Sequence, residues 1–342
     1  MAFQKRYAVT FLCVLLLTAF LTFSAYADQT ESAASFASHS LALSETENIN
    51  YWLFTPKNAT AEMPLIVYLH GGSGRGDDIG KLTDNGFCMW VSEGKFDDVP
   101  AYIVFPQLAS KYKAGWSANQ TGVQKLIESL VKLYKIDTDR ISLVGHSMGG
   151  TGTLAVASAF PRLFSCIMPM SGTCEVTDKT VSALAALPIR AFIGSADTIV
   201  KPENSLQILD AVKAAGGEVE VNVFEGADHF SVPELAFLDE KLDVVGWLLR
   251  HKKQTAVTAY DADSRTLTVR SQIPGTYTFL FASYAENGAL LDVKIYEQTL
   301  AFGLERITLP EGTELLQKGG RIFLWRSLAA LLPACPAFAV EN

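Results

Sequence analysis

The sequence has little of several features that mark particular classes of protein. Of its 342 residues only 19% are charged and five are cysteine, while acidic residues outnumber basic ones by 36 to 28. No compact basic cluster is present to neutralise phosphates, which argues against nucleic-acid binding. No spacing of cysteine and histidine resembles a zinc site. With 49% hydrophobic residues the chain is also unlike disordered proteins. We therefore expect a folded protein that needs no metal or other cofactor.

Long apolar runs are scarce too, and the one at the amino terminus has the layout of a targeting segment. Lys5 and Arg6 precede an apolar run over residues 8–23, and Ala25-Tyr26-Ala27 forms a small-residue cleavage site. The alternative is a permanent membrane anchor, since the run is nearly long enough to span a bilayer. Its polar interruptions and the cleavage site favour removal. We predict a signal peptide over residues 1–27 and a secreted protein without stable membrane insertion. Loss of the two basic residues moves the net charge from −8 to −10.

Four cysteines remain beyond the predicted cleavage site: Cys88, Cys166, Cys174 and Cys335. Export permits disulfides, and Cys166 and Cys174 are the closest pair in the sequence. Four cysteines allow three pairings, and all four could equally be buried thiols. The pairing therefore stays open, and so does the oligomeric state.

The rest of the chain divides by texture into three parts. Residues 28–47 are rich in Ser, Ala and Glu without periodicity, which predicts a leader segment. Over residues 48–252, short apolar runs typical of strands alternate with longer segments, as in a mostly parallel sheet flanked by helices. The predicted strands are Ile49–Phe54, Leu65–Leu69, Tyr102–Phe105, Ile141–Val144, Cys166–Met170, Ile189–Ile193 and Val219–Phe224. Two helices are also predicted, one with an apolar face from Val123 to Tyr134 and one from Pro233 to Arg250.

Residues 257–342 have a different pattern. Strand-like runs at 266–269, 277–281, 291–296 and 321–325 are separated by Pro-Gly, Asn-Gly and Glu-Gly turns. This pattern predicts a second, small β-sandwich-like domain. The apolar stretch 328–336 would cover one open edge of it.

The segment Gly145–Gly150, with the letters G-H-S-M-G-G, is the first candidate for chemistry. It follows the predicted strand that ends at Val144 and precedes a segment that can form a helix. A sharp strand-to-helix turn exposes a serine oxygen, and glycines two residues before and after it leave room for the strained backbone. Ser147 is therefore the candidate nucleophile. The pattern alone is weak, so its context must support it.

A glycine-rich loop supplies part of that context. His70-Gly71-Gly72-Ser73-Gly74 follows the strand that ends at Leu69, where a backbone N–H can stabilise an oxyanion. We assign Gly72 as this donor, with Gly71 as the alternative, and Met148 as the second donor. A flexible turn or a phosphate loop could show the same glycines, but a phosphate loop requires a Lys-Ser/Thr ending that is absent.

An acid and a base follow in the order that a triad requires. Asp197 comes directly after the strand that ends at Ile193, and His229 after the strand that ends at Phe224. A neutral imidazole can accept the serine proton, and a carboxylate fixes its tautomer. The other histidines lie in the leader (His39), in the two glycine motifs (His70, His146) or at a helix end (His251). Asp228 is too close to its neighbour His229, and Asp178 precedes the expected strand.

Together these motifs resemble the α/β-hydrolase superfamily, in particular the compact bacterial esterases and peptidases related to phospholipase/carboxylesterases, feruloyl and acetylxylan esterases and the prolyl-oligopeptidase catalytic domain. The resemblance covers about residues 50–250. The matching segments are Leu69–Gly72, Arg75–Asp78, Phe105–Gln107 with Trp116, Gly145–Gly150, Gly194–Asp197 and Gly226–His229. Residues 257–342 more loosely resemble small β domains at the ends of exported proteins of gut Firmicutes, through 275–278 and 323–328; a spacer and a carbohydrate binder are both open.

The resemblance implies an α/β-hydrolase fold followed by a small all-β domain, and a serine hydrolase that cleaves carboxylic esters. Only short segments separate the strands after Ser147, so no large lid is evident. Short acyl or aryl esters, such as feruloyl or acetyl groups on polysaccharide, are the expected substrates. A prolyl-oligopeptidase-type peptidase, an acyltransferase and a non-catalytic binding protein are the alternatives. Trp116, Gln107 and Met148 could line a pocket or could serve packing.

Overall fold

The computed structural model describes residues 33–309 and 319–340. The predicted signal peptide, residues 1–27, lies outside the described residues. Within those ranges, no helix combines the length and the apolar character that crossing a bilayer requires. Residues 34–342 group into one unit by their contacts, and the domain boundary at 252–257 stays a prediction.

The first part of the chain alternates strands with helices, as the sequence pattern predicts. Its strands are β1 (Ser35–Ser44), β2 (Glu47–Thr55), β3 (Met63–Leu69), β4 (Tyr102–Pro106), β5 (Ile136–His146), β6 (Cys166–Met170), β7 (Ile189–Gly194) and β8 (Val219–Phe224). Its α-helices are α1 (Gly86–Ser92), α2 (Gln120–Leu133), α3 (Met148–Ala159), α4 (Asp178–Ala185), α5 (Pro202–Ala214), α6 (Val232–Phe237) and α7 (Val244–Arg250).

These strands form one eight-stranded sheet in the order β1-β2-β4-β3-β5-β6-β7-β8. The pairs from β4 to β8 are parallel, whereas β1 and β2 join antiparallel at one edge. Parallel strands need covered connections, and helices cover both faces here. One core cluster packs α2, α3, α4 and α5 on one face, and a second packs α1, α6 and α7 on the other. The predicted α/β-hydrolase fold class is confirmed.

Two expectations about local structure are wrong. The predicted leader over residues 28–47 contains β1, which pairs along its length with β2. Its side chains are only partly buried, because an edge strand needs just a few packed positions such as Phe36, which stacks on Trp52 with ring centroids 4.8 Å apart. The sequence of β1 therefore lacks the regular hydrophobic alternation from which a strand is predicted.

The predicted helix from Pro233 to Arg250 is two helices, α6 and α7. A 3₁₀ turn over Glu240–Leu242 separates them, and Asp243 adopts a left-handed conformation with φ of 43°. The Asp239 side chain accepts a hydrogen bond from the Lys241 N–H and so favours the turn. Asp243 also pairs with Arg250. The apolar spacing continued across the break because both helices bury residues in the same core cluster.

The carboxy-terminal part is all β, as predicted. Its strands are β9 (Thr255–Asp261), β10 (Thr266–Ser271), β11 (Gly275–Tyr284), β12 (Leu290–Leu300), β13 (Gly303–Thr308), β14 (Arg321–Ser327), β15 (Leu332–Pro333) and β16 (Phe338–Ala339). They form a three-stranded sheet, β13-β10-β9, and a five-stranded sheet, β12-β11-β14-β15 with β16 paired to β14. Both sheets contribute to one apolar cluster. The stretch 328–336 contains β15, which covers the edge of β14 as expected.

Candidate active site

Ser147 lies in a tight turn between β5 and α3. Its backbone has φ of 59° and ψ of −121°, a strained conformation for a residue with a side chain. The turn is held by hydrogen bonds from the Ser147 N–H to the Met170 carbonyl and from the Thr151 N–H to the Ser147 carbonyl, both 2.9 Å. The turn therefore presents the hydroxyl at the carboxyl end of the central strand.

The glycines that flank Ser147 are required by close backbone approach. A Cβ atom at Gly145 would lie 2.4 Å from the Gly149 carbonyl oxygen. One at Gly149 would lie 1.8 Å from the Leu69 carbonyl oxygen. Any side chain at either position would push the turn away from β3. This is the structural reason for the G-x-S-x-G pattern in this chain.

The structure brings Ser147, His229 and Asp197 together. His229 Nε2 lies 2.7 Å from Ser147 Oγ, and His229 Nδ1 lies 2.7 Å from Asp197 Oδ2. His229 and Asp197 are both buried, each with 3% of its surface exposed. Three loops that follow β5, β7 and β8 thus form one hydrogen-bonded chain, although 82 residues separate Ser147 from His229.

The surroundings of Asp197 favour its carboxylate form. Burial alone would raise the pKa of Asp197, but hydrogen bonds from His229 and from the Val200 and Ile199 N–H groups outweigh it and hold the pKa below its usual value. Oδ1 accepts both N–H groups at 2.9 Å, which leaves Oδ2 for the imidazole. The acid is therefore charged and its orientation fixed.

His70 supports the glycine-rich loop beside Ser147. The Leu108 N–H donates to His70 Nε2 at 3.0 Å, so the ring proton must be on Nδ1, which donates to the Gly71 carbonyl at 2.6 Å. The His70 carbonyl in turn accepts from the Trp116 indole at 3.0 Å. Burial lowers the pKa of His70 from 6.5 to about 4. The ring is therefore neutral at physiological pH and fixed in one tautomer.

His146 joins two loops of the site. Its Nε2–H donates to the main-chain carbonyl of His229 at 2.8 Å, and the two rings pack with centroids 4.7 Å apart. On its other side, His146 Nδ1 lies 3.8 Å from the position that a Cβ at Gly71 would take. Burial, with a smaller contribution from His229, lowers the pKa of His146 to about 4. A neutral side chain thus connects the His229 loop with the Gly71 loop.

A cavity of about 800 Å³ opens beside Ser147 and His229. Gly71 and Gly72 form part of its wall. The wall is largely apolar and aromatic. The side chains that line it outside the glycine-rich loop and the catalytic candidates are Tyr68, Lys81, Leu82, Asn85, Cys88, Met89, Trp90, Lys95, Phe105, His146, Ile199, Phe230, Pro233, Glu234 and Leu238.

Most of these wall residues were not predicted from the sequence. Met89 and Trp90 belong to α1, a short helix without a motif, and only its packing beside the site reveals them. Phe230, which is 73% exposed, directly follows His229. That adjacency is a signal that could have identified it. Two of the residues weighed as pocket candidates serve packing instead: Trp116 and Gln107 are buried and bond to the main chain of the glycine-rich loop.

Neither a disulfide nor a cluster of metal-ligating side chains is found within the described residues. All four cysteines within the described residues are free thiols, and Cys88 is buried in the cavity wall. Burial raises the pKa of the Cys88 thiol, which keeps it protonated. Among residues 33–309 and 319–340, no three His, Cys, Asp or Glu side chains cluster as metal ligands would.

Comparison with known proteins gives a consistent result. Residues 102–244 match the family described as Phospholipase/Carboxylesterase. The sequence is 27% identical to the "Putative carboxymethylenebutenolidase" of Aquifex aeolicus over 174 residues. This alignment covers 48% of this chain and 69% of that protein. It is 20% identical to acetylxylan esterase A of Aspergillus oryzae over 201 residues. This alignment covers 52% of this chain and 60% of that protein.

A solved structure agrees with these sequence matches. The crystal structure of a thermostable esterase is 26% identical and superposes with a TM-score of 0.57, covering 64% of this chain and 63% of the esterase chain. The chain has the α/β-hydrolase fold, and the sequence matches and the similar esterase structure show that it resembles esterases with this fold.

Proposed function

We propose that this chain is a secreted esterase that hydrolyses short acyl or aryl esters through an acyl-enzyme on Ser147. One observation carries the proposal: the hydrogen-bonded chain from Ser147 through His229 to Asp197 ends at a cavity that can hold a substrate. A serine with this environment has both a proton acceptor and a site for the group it attacks.

The distances fit the roles of nucleophile, base and acid. At 2.7 Å from Ser147 Oγ, His229 Nε2 can accept the hydroxyl proton as the oxygen attacks an ester carbonyl. The imidazolium that forms is stabilised by the Asp197 carboxylate, which holds Nδ1–H and keeps Nε2 free as acceptor. His229 then protonates the leaving alcohol. Water then attacks the acyl-enzyme while His229 accepts its proton. His229 afterwards returns that proton to Ser147 Oγ, and the acid is released.

The main chain supplies donors for the oxyanion. The Gly71 carbonyl is held by His70, and because the peptide bond is trans, the Gly72 N–H points the opposite way, away from the buried ring. Gly72 is exposed at the cavity wall. This geometry supports Gly72, rather than Gly71, as one donor. Met148 is the first residue of α3, where an N–H has no partner within the helix, and supports the second donor.

The cavity supports an acyl or aryl group of moderate size. Aromatic side chains of Tyr68, Trp90, Phe105 and Phe230 line a volume of about 800 Å³, which is within the range of small-molecule sites. Such walls favour a flat, apolar acid group such as an aryl acyl chain. The acetylxylan esterase among the relatives keeps acetyl esters of polysaccharide as candidates. Export through the predicted signal peptide would place the enzyme where such polymers occur.

The experiment that tests the proposal compares initial rates on matched substrates. The panel contains p-nitrophenyl acetate, butyrate and laurate, methyl ferulate, acetylated xylan and a prolyl anilide. We expect turnover of the short acyl and aryl esters, and a fall of several orders of magnitude in the Ser147→Ala variant. The steepest preference in the panel identifies the acid group that the cavity accepts.

A matched control separates the nucleophile from general damage. Ser92→Ala changes an exposed serine whose hydroxyl bonds only the Met89 carbonyl at the end of α1. It should leave the rates unchanged. Normal turnover by Ser147→Ala would contradict the proposal, and cleavage of the anilide alone would assign the chain to the peptidases instead.

A further inference from the structure

An unpaired strand edge lies far along the chain from the candidate active site. Within the described residues, β12 is the terminal strand of its five-stranded sheet and pairs only with β11. Strand edges present rows of unpaired N–H and C=O groups, and proteins normally cover or blunt them. The opposite edge of the same sheet is covered by β15 and β16.

The exposed edge strand also carries an apolar stripe. Val293 and Ile295 alternate along β12 and so share one face, with exposed fractions of 37% and 61%, and Leu291, which is 66% exposed, is the extra residue of a bulge just before them. The next side chain, Tyr296, points to the opposite face and packs on the core of the two sheets. Of the 13 exposed large apolar side chains in the described residues, four lie on β12: Leu290, Leu291, Val293 and Ile295. Such a concentration marks an interaction surface.

The surroundings of Val293 show which N–H groups of β12 point toward β11 and which point toward the open edge. Its N–H donates to the Asp292 carboxylate at 2.9 Å. The Ala285 N–H donates to the Ala289 carbonyl across the turn, so odd-numbered residues of β11 bond toward β12, and Ala282, which lies opposite Val293, bonds toward β14. Because N–H groups of an antiparallel strand alternate between its two neighbours, the N–H groups of Val293 and Ile295 both face the open edge, whereas Leu291 is the extra residue of a bulge and lies outside this alternation. Val293 and Ile295 are therefore aligned to form main-chain hydrogen bonds with a further strand.

The charges on β12 identify which strand complements it. If two copies of β12 pair antiparallel about Val293, residues at equal distance on either side of Val293 face each other. Asp292 then lies opposite Lys294 of the second copy. If the two-fold axis lay at residue 292 instead, Asp292 would face Asp292 of the second copy. If it lay at residue 294, Lys294 would face Lys294. Unlike charges opposite each other stabilise a strand pair and like charges destabilise it.

We propose that β12 pairs with β12 of a second copy of this chain, about a two-fold axis at Val293, to form a continuous ten-stranded sheet. The free edge, the outward N–H groups and the self-complementary charges all fit one symmetric arrangement. The same pairing brings the apolar side chains of the two strands together on one face. The proposal is independent of the reaction at Ser147.

The test measures the oligomeric state of the processed protein, expressed from the full chain, by sedimentation velocity over a dilution series. We expect a reversible dimer. Asp292→Lys places lysine opposite Lys294, and Lys294→Asp places aspartate opposite Asp292, so each variant alone should dimerise about tenfold or more weakly. An equimolar mixture of the two variants restores both unlike pairs and should dimerise again.

A second pair of variants tests the main-chain hydrogen bonds. Val293→Pro removes an N–H that faces the open edge, together with its bond to the neighbouring Asp292 carboxylate, but no bond to β11, so its own sheet tolerates it while pairing is blocked. Val293→Thr keeps the N–H and the β-branched shape and should still dimerise. Circular dichroism and melting temperature confirm that each variant is folded.

Three outcomes would overturn the proposal. One is a wild-type protein that is monomeric throughout the series. Another is a dimer that is unaffected by Val293→Pro. The third is a mixture of the two charge variants that stays as weakly associated as either one alone, since the register about Val293 requires rescue.

Discussion

The two ends of the central sheet use polar groups in opposite ways. At the carboxyl ends of β3, β5, β7 and β8, the loops direct N–H groups, a hydroxyl and an imidazole toward an open cavity. At the opposite end, polar groups before β6 and β8 are paired with the carboxy-terminal sheets. Gln272 donates to the carbonyls of Phe164 and Ser165 at 3.3 and 3.0 Å, and Arg270 pairs with Glu218.

This difference shows what each end contributes. The buried contacts of Gln272 and Arg270 fasten the β region to the sheet, far from the turn that holds Ser147. Lys253 extends the attachment with a bond from its Nζ to the Thr138 carbonyl at 2.8 Å. Polar groups that are hydrogen-bonded within the protein stabilise the fold. Polar groups that are kept free for a ligand lower the stability of the fold, and other contacts must offset that loss. Changes at the two ends should therefore separate activity from stability.

Replacing Asp197, the proposed acid, should have the greatest effect. Asp197→Asn should lower kcat on p-nitrophenyl acetate by about 10³- to 10⁴-fold, because an amide at Oδ2 no longer stabilises the imidazolium or fixes its tautomer. The matched control is Asp228→Asn, an exposed neighbour whose Oδ1 bonds Phe230 and Ser231. It should retain activity within a few-fold. Equal losses in both variants would contradict the assignment of Asp197.

Acid should destabilise the site end through its buried neutral histidines. The pKa of His146 is lowered from 6.5 to about 4 in the folded chain, so the unfolded chain binds more protons between these values. Stability is thus complete above pH about 6.5 and is lost as pH falls toward 4, by roughly 3 kcal/mol for this residue when fully developed.

Urea unfolding of the wild type and of His146→Gln at pH 7.5 and 4.5 measures this contribution. The variant should lose less free energy of unfolding on acidification, because it no longer has this titrating ring. His39→Gln, on the exposed strand β1, provides the control and should match the wild type. Identical acid sensitivity of wild type and His146→Gln would show that the ring does not contribute.

At the opposite end, Gln272→Ala should affect stability alone. It leaves the buried Phe164 and Ser165 carbonyls without their donor, at a cost of about 2 kcal/mol in the free energy of unfolding. The kcat of the folded variant should equal that of the wild type. Gln207→Ala, an exposed position on α5, is the control and should leave both unchanged. A large loss of kcat in Gln272→Ala would mean that the two ends are coupled.

The smallest effect tests a positioning role for His146. His146→Ala removes the bond to the His229 carbonyl and should lower kcat about 10- to 100-fold with KM nearly unchanged, because the base is displaced from Ser147. His146→Gln retains an N–H donor and should recover part of the rate. The control is His251→Ala, which removes a similar histidine bond, to the Trp247 carbonyl, outside the site. No difference between His146→Ala and His146→Gln would contradict this role.

Much of the strand pattern was legible in the sequence because it depends on short apolar runs. Cys166–Met170 and Val219–Phe224 match β6 and β8 residue for residue. The edge strand β1 was missed since partial burial demands no strong alternation. The α6–α7 break was missed since a hydrophobic spacing can continue across a turn that is set by capping at Asp239 and by the conformation of Asp243.

The sequence by itself determined the order of motifs and the strand ends at which they occur, because glycine requirements and strand-loop transitions are local. Asp197 and His229 follow from that order. Only the packing of distant segments places Met89 and Trp90 in the cavity wall and makes His70 and His146 hold the loops around Ser147. It also leaves β12 paired on one side only within the part of the chain that the structure describes. Each of these depends on which distant segments pack together, and no local spacing encodes that.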